Sequence, residues 1–234
     1  MNRLRAFLPL LVLLAIGAGL YASGVLDRFD PHNVAQDEAV LRTGLALHPW
    51  LGPLVQVGAL ALVIATGVPG GILIVLAGGM LFGTLAGTIL STAGAMIGAT
   101  VLFFASRMAF EGGQRTAPPL VERLRAGYLA HPFSYTLFLR LVPFFPFGAV
   151  SVALAWLRCP LWIFLAASAL GGSVMIAFES ALGAGLTETI AREGQVSFGI
   201  LAHRSVYLPL LGMALVALVP VVAGRLRGGG STEG

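Results

Sequence analysis

The segment Arg140-Leu-Val-Pro143-Phe-Phe-Pro146-Phe-Gly148 sets one arginine and two spaced prolines inside an otherwise apolar stretch. A guanidinium grips a phosphate through paired N–H donors. Placed in hydrocarbon it costs roughly 2.5–3.5 kcal/mol on insertion scales, so it is usually kept for a function. The plainer alternative is an arginine whose stem lies in lipid while its head reaches the surface. Glu179 is the one acid well inside an apolar stretch. It could pair with Arg140, carry a proton, or hold water in a cavity. Val68-Pro69-Gly70-Gly71 forms a second break. Pro69, Gly70 and Gly71 would open a helix start and bare amide donors, a site suited to anions. Arg158 stands beside Pro160 and reads as an anchor at the membrane interface.

Other chemistries find no residues to carry them. There is no Gly-x-Ser-x-Gly elbow for a hydrolase and no Gly-Lys-Ser/Thr phosphate loop. The four histidines lack metal-ligand spacing, so neither a metal nor another cofactor is expected. The single cysteine, Cys159, excludes an intrachain disulfide framework and a thiolate cluster. All 14 basic residues are arginines at the ends of apolar segments, with no basic patch interleaved with aromatics, so nucleic acid is not an expected partner. The expectation is a protein that is not an enzyme.

The elements that hold these residues belong in a bilayer. Apolar residues are 57% of the chain and charged residues 10%, too few charges to cover a soluble surface. No charged residue occurs over the 64 positions 43–106. About 20 apolar residues in helix cross a bilayer core. Residues 6–26 read as an uncleaved first membrane helix, and residues 27–48 as a short polar external loop with one or two helical turns. Residues 51–107 are interrupted early at the Pro69 break and again at Gly78-Gly79 and Phe82-Gly83. A chain turns within lipid only where protein or water satisfies its backbone. The reading is a re-entrant hairpin of two half-helices, 51–67 and 71–82, followed by a full span, 84–106. That span carries a ladder of small residues, Gly83, Gly87, Ser91, Ala95 and Ala99, with Gly94 and Gly98 beside it. Such spacing lets helix backbones approach closely.

Residues 107–131 form an arginine-bearing loop. In it Leu120, Val121, Leu124, Tyr128 and Leu129 share a helical face, as in a surface helix at the lipid boundary or a plain connecting helix. Residues 133–185 repeat the earlier plan: a broken stretch around Pro143 and Pro146, then a glycine-bearing span, 161–186. A polar loop follows, then a last span, 206–224, and a disordered tail, 228–234. Three regions result: 1–50, a core of 51–190, and 191–234. With Arg3 and Arg5 inside, every arginine cluster falls on the inner side, with both termini cytoplasmic. The two broken units then point in opposite directions. Inverted repeats of interrupted helices are a transporter device, with the broken tips meeting near the midplane.

The residues Val68-Pro69-Gly70, Gly79, Phe82-Gly83, Gly87, Gly94, Gly98 and Arg107 resemble the first signature of the DedA superfamily, also called the VTT-domain or SNARE-associated Golgi family. Phe138-Leu-Arg140-Leu-Val-Pro143-Phe-Phe-Pro146 resembles the second, and Gly183-Ala-Gly185 sits where that pattern closes. The likeness covers roughly residues 50–190 and is greatest to the Tvp-like bacterial branch. It implies an all-α integral membrane protein with two inverted re-entrant helical hairpins, in the cell inner membrane. It further implies transport of phospholipid or polyprenyl phosphate between leaflets, so the expected partners are lipids with anionic headgroups. Some members depend on proton motive force and carry a carboxylate beside the first proline. This chain has none near Pro69 and has Ser151 where an amide is expected. It also lacks a Pro-Gly in the span after Trp162. Proton coupling, a homo-oligomer, a non-transporting scaffold and a small-ion or solute transporter using Glu179 remain open alternatives.

Overall fold

The computed structural model describes residues 3–111, 119–142, 145–193 and 204–228. Helix α1 (Arg3–Ala22) stops earlier than the span expected over 6–26. Gly24 takes a left-handed conformation (φ 67°) and starts a 3-10 turn, Val25–Phe29, whose Leu26 is buried. Asp30 caps α2 (Pro31–Gln36) by accepting from the His32 N–H at 2.8 Å, and α3 (Glu38–Leu47) follows. The segment expected as a loop, residues 27–48, is thus largely helical.

Helix α4 (Leu51–Thr66) ends at Gly67, also left-handed (φ 70°), and α5 (Gly71–Glu111) begins after a four-residue turn. Within α5, Gly83 has φ 77° and ψ 176°, a conformation closed to other residues. The chain reverses there. A Cβ on Gly87 would lie 2.9 Å from the Gly78 carbonyl oxygen, whereas a straight helix would hold these residues about 13 Å apart. The first limb, residues 71–82, therefore runs back along α4. The second limb, 84–111, runs beside α4 in the same direction, with Gly94 against Val57 and Gly98 against Ala61. The expected half-helices and span are found within a residue or two at the turn, and the span runs on to Glu111. Gly78-Gly79 is no break: the helix continues through it, and Gly78 makes room for the Gln56 side chain and Gly79 for the Ser180 backbone.

The second unit repeats this plan. Helix α6 (Pro119–Ala130) leads into α7 (Pro132–Leu141), then α8 (Phe147–Trp156), then α9 (Leu161–Ala167). Arg158 at φ 55° marks the reversal before α9, as Gly83 does in the first unit. A π turn, Ser168–Gly172, joins α9 to α10 (Ser173–Glu193), and α11 (Arg204–Gly228) packs back on α10 through Gly185 and Gly212. The α6 face differs from expectation: Val121 and Tyr128 are buried in the protein core, while Leu129 is 67% exposed. The disordered tail expected beyond Gly228 lies outside the described residues, as does most of the loop expected before α11.

The units pack together along both limbs of α5. Phe103 stacks on Phe164 (4.4 Å) and the Arg107 Nη1 donates to the Cys159 carbonyl (3.3 Å), so α9 runs opposite to the second limb of α5. The first limb crosses α10 backbone to backbone, Gly79 on Ser180 and Gly183 on Leu76. Lipid is as apolar as these side chains, so close packing rather than transfer from water drives such crossings.

The outer surface identifies the solvent. Leu85, Ile89, Ile97, Val101, Phe104 and Met108 form one exposed stripe along the second limb of α5, with Leu85 75% exposed. A stripe of this length on a chain in water would be polar. Two stretches, Gly71–Phe110 and Leu161–Thr187, are long and apolar enough to cross a membrane, the first divided by the Gly83 reversal. The chain is an all-α membrane protein.

Candidate functional site

Proline and glycine decide where the chain breaks. Pro69 and Gly70 end the turn after α4, and Pro146 caps α8 with extended backbone (ψ 133°). Both prolines are exposed. The two turns meet: a Cβ on Gly148 would lie 3.5 Å from the Gly67 Cα and 3.6 Å from the Ile64 carbonyl oxygen. Gly71 opens α5 and packs on Leu60, while the Gly70 carbonyl accepts the Leu73 N–H at 3.0 Å. The first-turn amides of such a helix have no partner within it. Pro143 lies outside the described residues.

Arg140, near the end of α7, points inward and is only 4% exposed. It does not reach the surface. Its Nε donates to the Ser168 Oγ at 2.9 Å, Nη1 to the Phe147 carbonyl at 2.9 Å, and Nη2 to the Ser151 Oγ at 3.0 Å. The Phe147 ring lies 3.9 Å from the guanidinium carbon and the Phe164 ring 5.3 Å away. Glycines make room for this: Gly171 lies against the Arg140 Cβ and Gly172 against the Phe147 ring, where an added Cβ would be 2.8 Å from each. Among the described residues no carboxylate touches Arg140. A buried cation with only neutral partners is an unbalanced charge.

Glu179 does not balance it. The side chain is partly buried on α10, without a hydrogen bond or ion pair among the described residues. Its Cα is eight residues beyond Gly171, about 12 Å along the helix, and the guanidinium reaches back toward Ser168 rather than forward. The structure brings Arg140 to the paired turns and leaves Glu179 apart. Arg158 is exposed at the α8–α9 reversal, as an anchor would be.

Three residues of the site were not singled out by their type. Ser168 sits in the π turn, a feature that collects at functional sites. Ser151, noted only as a departure from an expected amide, is a direct partner of Arg140. Gln56 on α4 is buried, and its Nε2 donates to the Ile74 carbonyl (2.9 Å) and the Ser91 Oγ (3.0 Å), tying α4 to both limbs of α5. Its signal was available, since it is the one amide in the charge-free run 43–106.

A comparison with family profiles matches residues 68–185, just over half of the chain, to the VTT domain. No curated protein and no solved structure matches.

Proposed function

We propose, from the premise that this chain belongs to the VTT-domain family, that it moves phosphate-bearing lipids between the leaflets of the membrane. In this reading α4 with the first limb of α5, and α7 with α8, are hairpins that dip into the bilayer from opposite faces of the cell inner membrane. Both termini are cytoplasmic. The observation that carries the reading is the buried guanidinium of Arg140, without a carboxylate partner among the described residues and bonded to Phe147, the residue before the Gly148 contact between the two turns. An anionic headgroup would supply the missing negative charge there and gain bidentate hydrogen bonds. The opposed directions of α9 and the second limb of α5 support the inverted arrangement.

Reconstitution in liposomes carrying fluorescent phospholipid or polyprenyl phosphate tests this. The expected result is accelerated flipping of an anionic lipid that Arg140→Ala abolishes. Acceleration for no anionic lipid would sink the reading. Labelling of single cysteines at positions 69 and 146 tests the hairpins. Attenuated labelling from water is expected, and free labelling at both positions rejects them.

A second reading rests on Glu179, a carboxylate in an apolar helix without a partner among the described residues, which would make transport of an ion or solute depend on its protonation. Uptake that stays constant across pH and in Glu179→Gln removes it. Nothing comparable favours a scaffold. Gly87, Ser91, Ala95 and Ala99, the ladder that would serve a partner, are buried within the chain.

A further inference from the structure

Arg140 offers a fork, and the fork is occupied from within. Nη1 and Nη2 donate to the Phe147 carbonyl and the Ser151 Oγ, one turn apart at the start of α8. Those two oxygens are themselves hydrogen-bonded, the Ser151 hydroxyl donating to the Phe147 carbonyl at 2.9 Å. Ser151 thereby commits its only proton to Phe147 and meets Arg140 purely as an acceptor. The guanidinium sees two acceptor oxygens side by side, much as it would see two oxygens of a phosphate. The Phe147 and Phe164 rings lie 3.9 and 5.3 Å from the guanidinium carbon, and an incoming anion gains hydrogen bonds only along the N–H edge.

We infer that Ser151, with the Phe147 carbonyl, is an internal stand-in for the anionic headgroup and sets the threshold that a headgroup must exceed to bind Arg140. This rests on the reading of Arg140 as a headgroup site. The physical basis is a difference in bond strength. Hydrogen bonds with both partners ionised are stronger than those to a neutral oxygen. A phosphate displaces the neutral pair at a net gain, whereas an uncharged acceptor replaces one neutral oxygen by another and gains little. Ser151 would therefore act as a selectivity residue, holding the site shut against neutral groups. When it is displaced, its hydroxyl keeps the bond to the Phe147 carbonyl, so opening strands no buried donor on α8.

The sign of the mutational effect follows. Ser151→Ala removes one stand-in oxygen and leaves Nη2 short of an acceptor in the empty site. That destabilises the closed state and not the bound one. Full-length protein in vesicles of digalactosyldiacylglycerol, an uncharged lipid without phosphate, with a graded fraction of fluorescent phosphatidylglycerol, gives the readout. Ser151→Ala is expected to lower the half-saturating fraction by about threefold to tenfold, without a matching rise in maximal rate, and to narrow the preference for phosphatidylglycerol over fluorescent galactolipid, which has no phosphate. Ser151→Thr, which keeps the hydroxyl, is expected to restore wild-type half-saturation. Ser151→Asp would plant a permanent counter-ion and raise it sharply. Should Ser151→Asp fail to fold, the Ala and Thr pair still decides. A half-saturating fraction unchanged or raised in Ser151→Ala, with flipping still abolished by Arg140→Ala, overturns this inference and spares the headgroup site. Flipping that survives Arg140→Ala overturns both.

Discussion

At the residue scale the question is what holds a lone guanidinium inside a membrane protein. Three neutral oxygens and two aromatic rings do so here. They satisfy geometry but not charge. Lysine would keep the charge and lose the fork, since an ammonium is a point donor on a flexible stem. Arg140→Lys is therefore expected to reduce lipid flipping by about tenfold or more, with protein yield and thermal stability held near wild type. Flipping at wild-type rate in Arg140→Lys would show that charge alone suffices. The sequence made Arg140 legible because a charge among apolar residues is conspicuous. Its partners were not, because Ser151 and Ser168 lie 11 and 28 positions away and nothing in their type marks them. The pairing with Glu179 was a plausible reading of two charges. It fails because distance along α10, not residue type, decides who meets whom.

At the element scale the first unit is pinned by Gln56. Its amide bridges α4 to both limbs of α5, and Gly78 gives it space, since a Cβ there would collide with the amide. Gly78→Ala should push the amide off the Ile74 carbonyl and the Ser91 hydroxyl and cost about 1–3 kcal/mol. Gln56→Ala should cost a similar amount. The double variant should cost less than the sum, because the clash disappears with the side chain. Thermal unfolding in detergent measures all three, and strict additivity would show that the two residues do not act on each other. Breaks in these elements were legible where proline and glycine make them, at residues 67–70 and at Gly83. The π turn was not, because a shift of hydrogen-bond register within a helix leaves no mark in composition. The early end of α1 was likewise hidden, with Gly24 as its only sign.

At the scale of the whole molecule the two units touch at their turns and cross at Gly79 and Gly183. If lipid headgroups pass between the units, one of these contacts must open. The crossing is a poor candidate, since two helix backbones are locked together there and even a methyl group does not fit. The turn contact is less constrained: Gly67 is exposed and a Cβ on it would meet open space. Transport should therefore need the turns to part. Gly67→Cys together with Gly148→Cys, joined by a short cleavable bis-thiol reagent, tests this. Cys159 is buried, so the introduced pair should be what reacts. A side chain at the left-handed Gly67 costs roughly 1–2 kcal/mol, so the uncrosslinked double variant is the reference. Bridging is expected to stop flipping of anionic lipid and cleavage of the reagent to restore it. If the bridged protein flips at the rate of the unbridged one, headgroups do not pass between the turns, and the path must follow the lipid-facing surface instead.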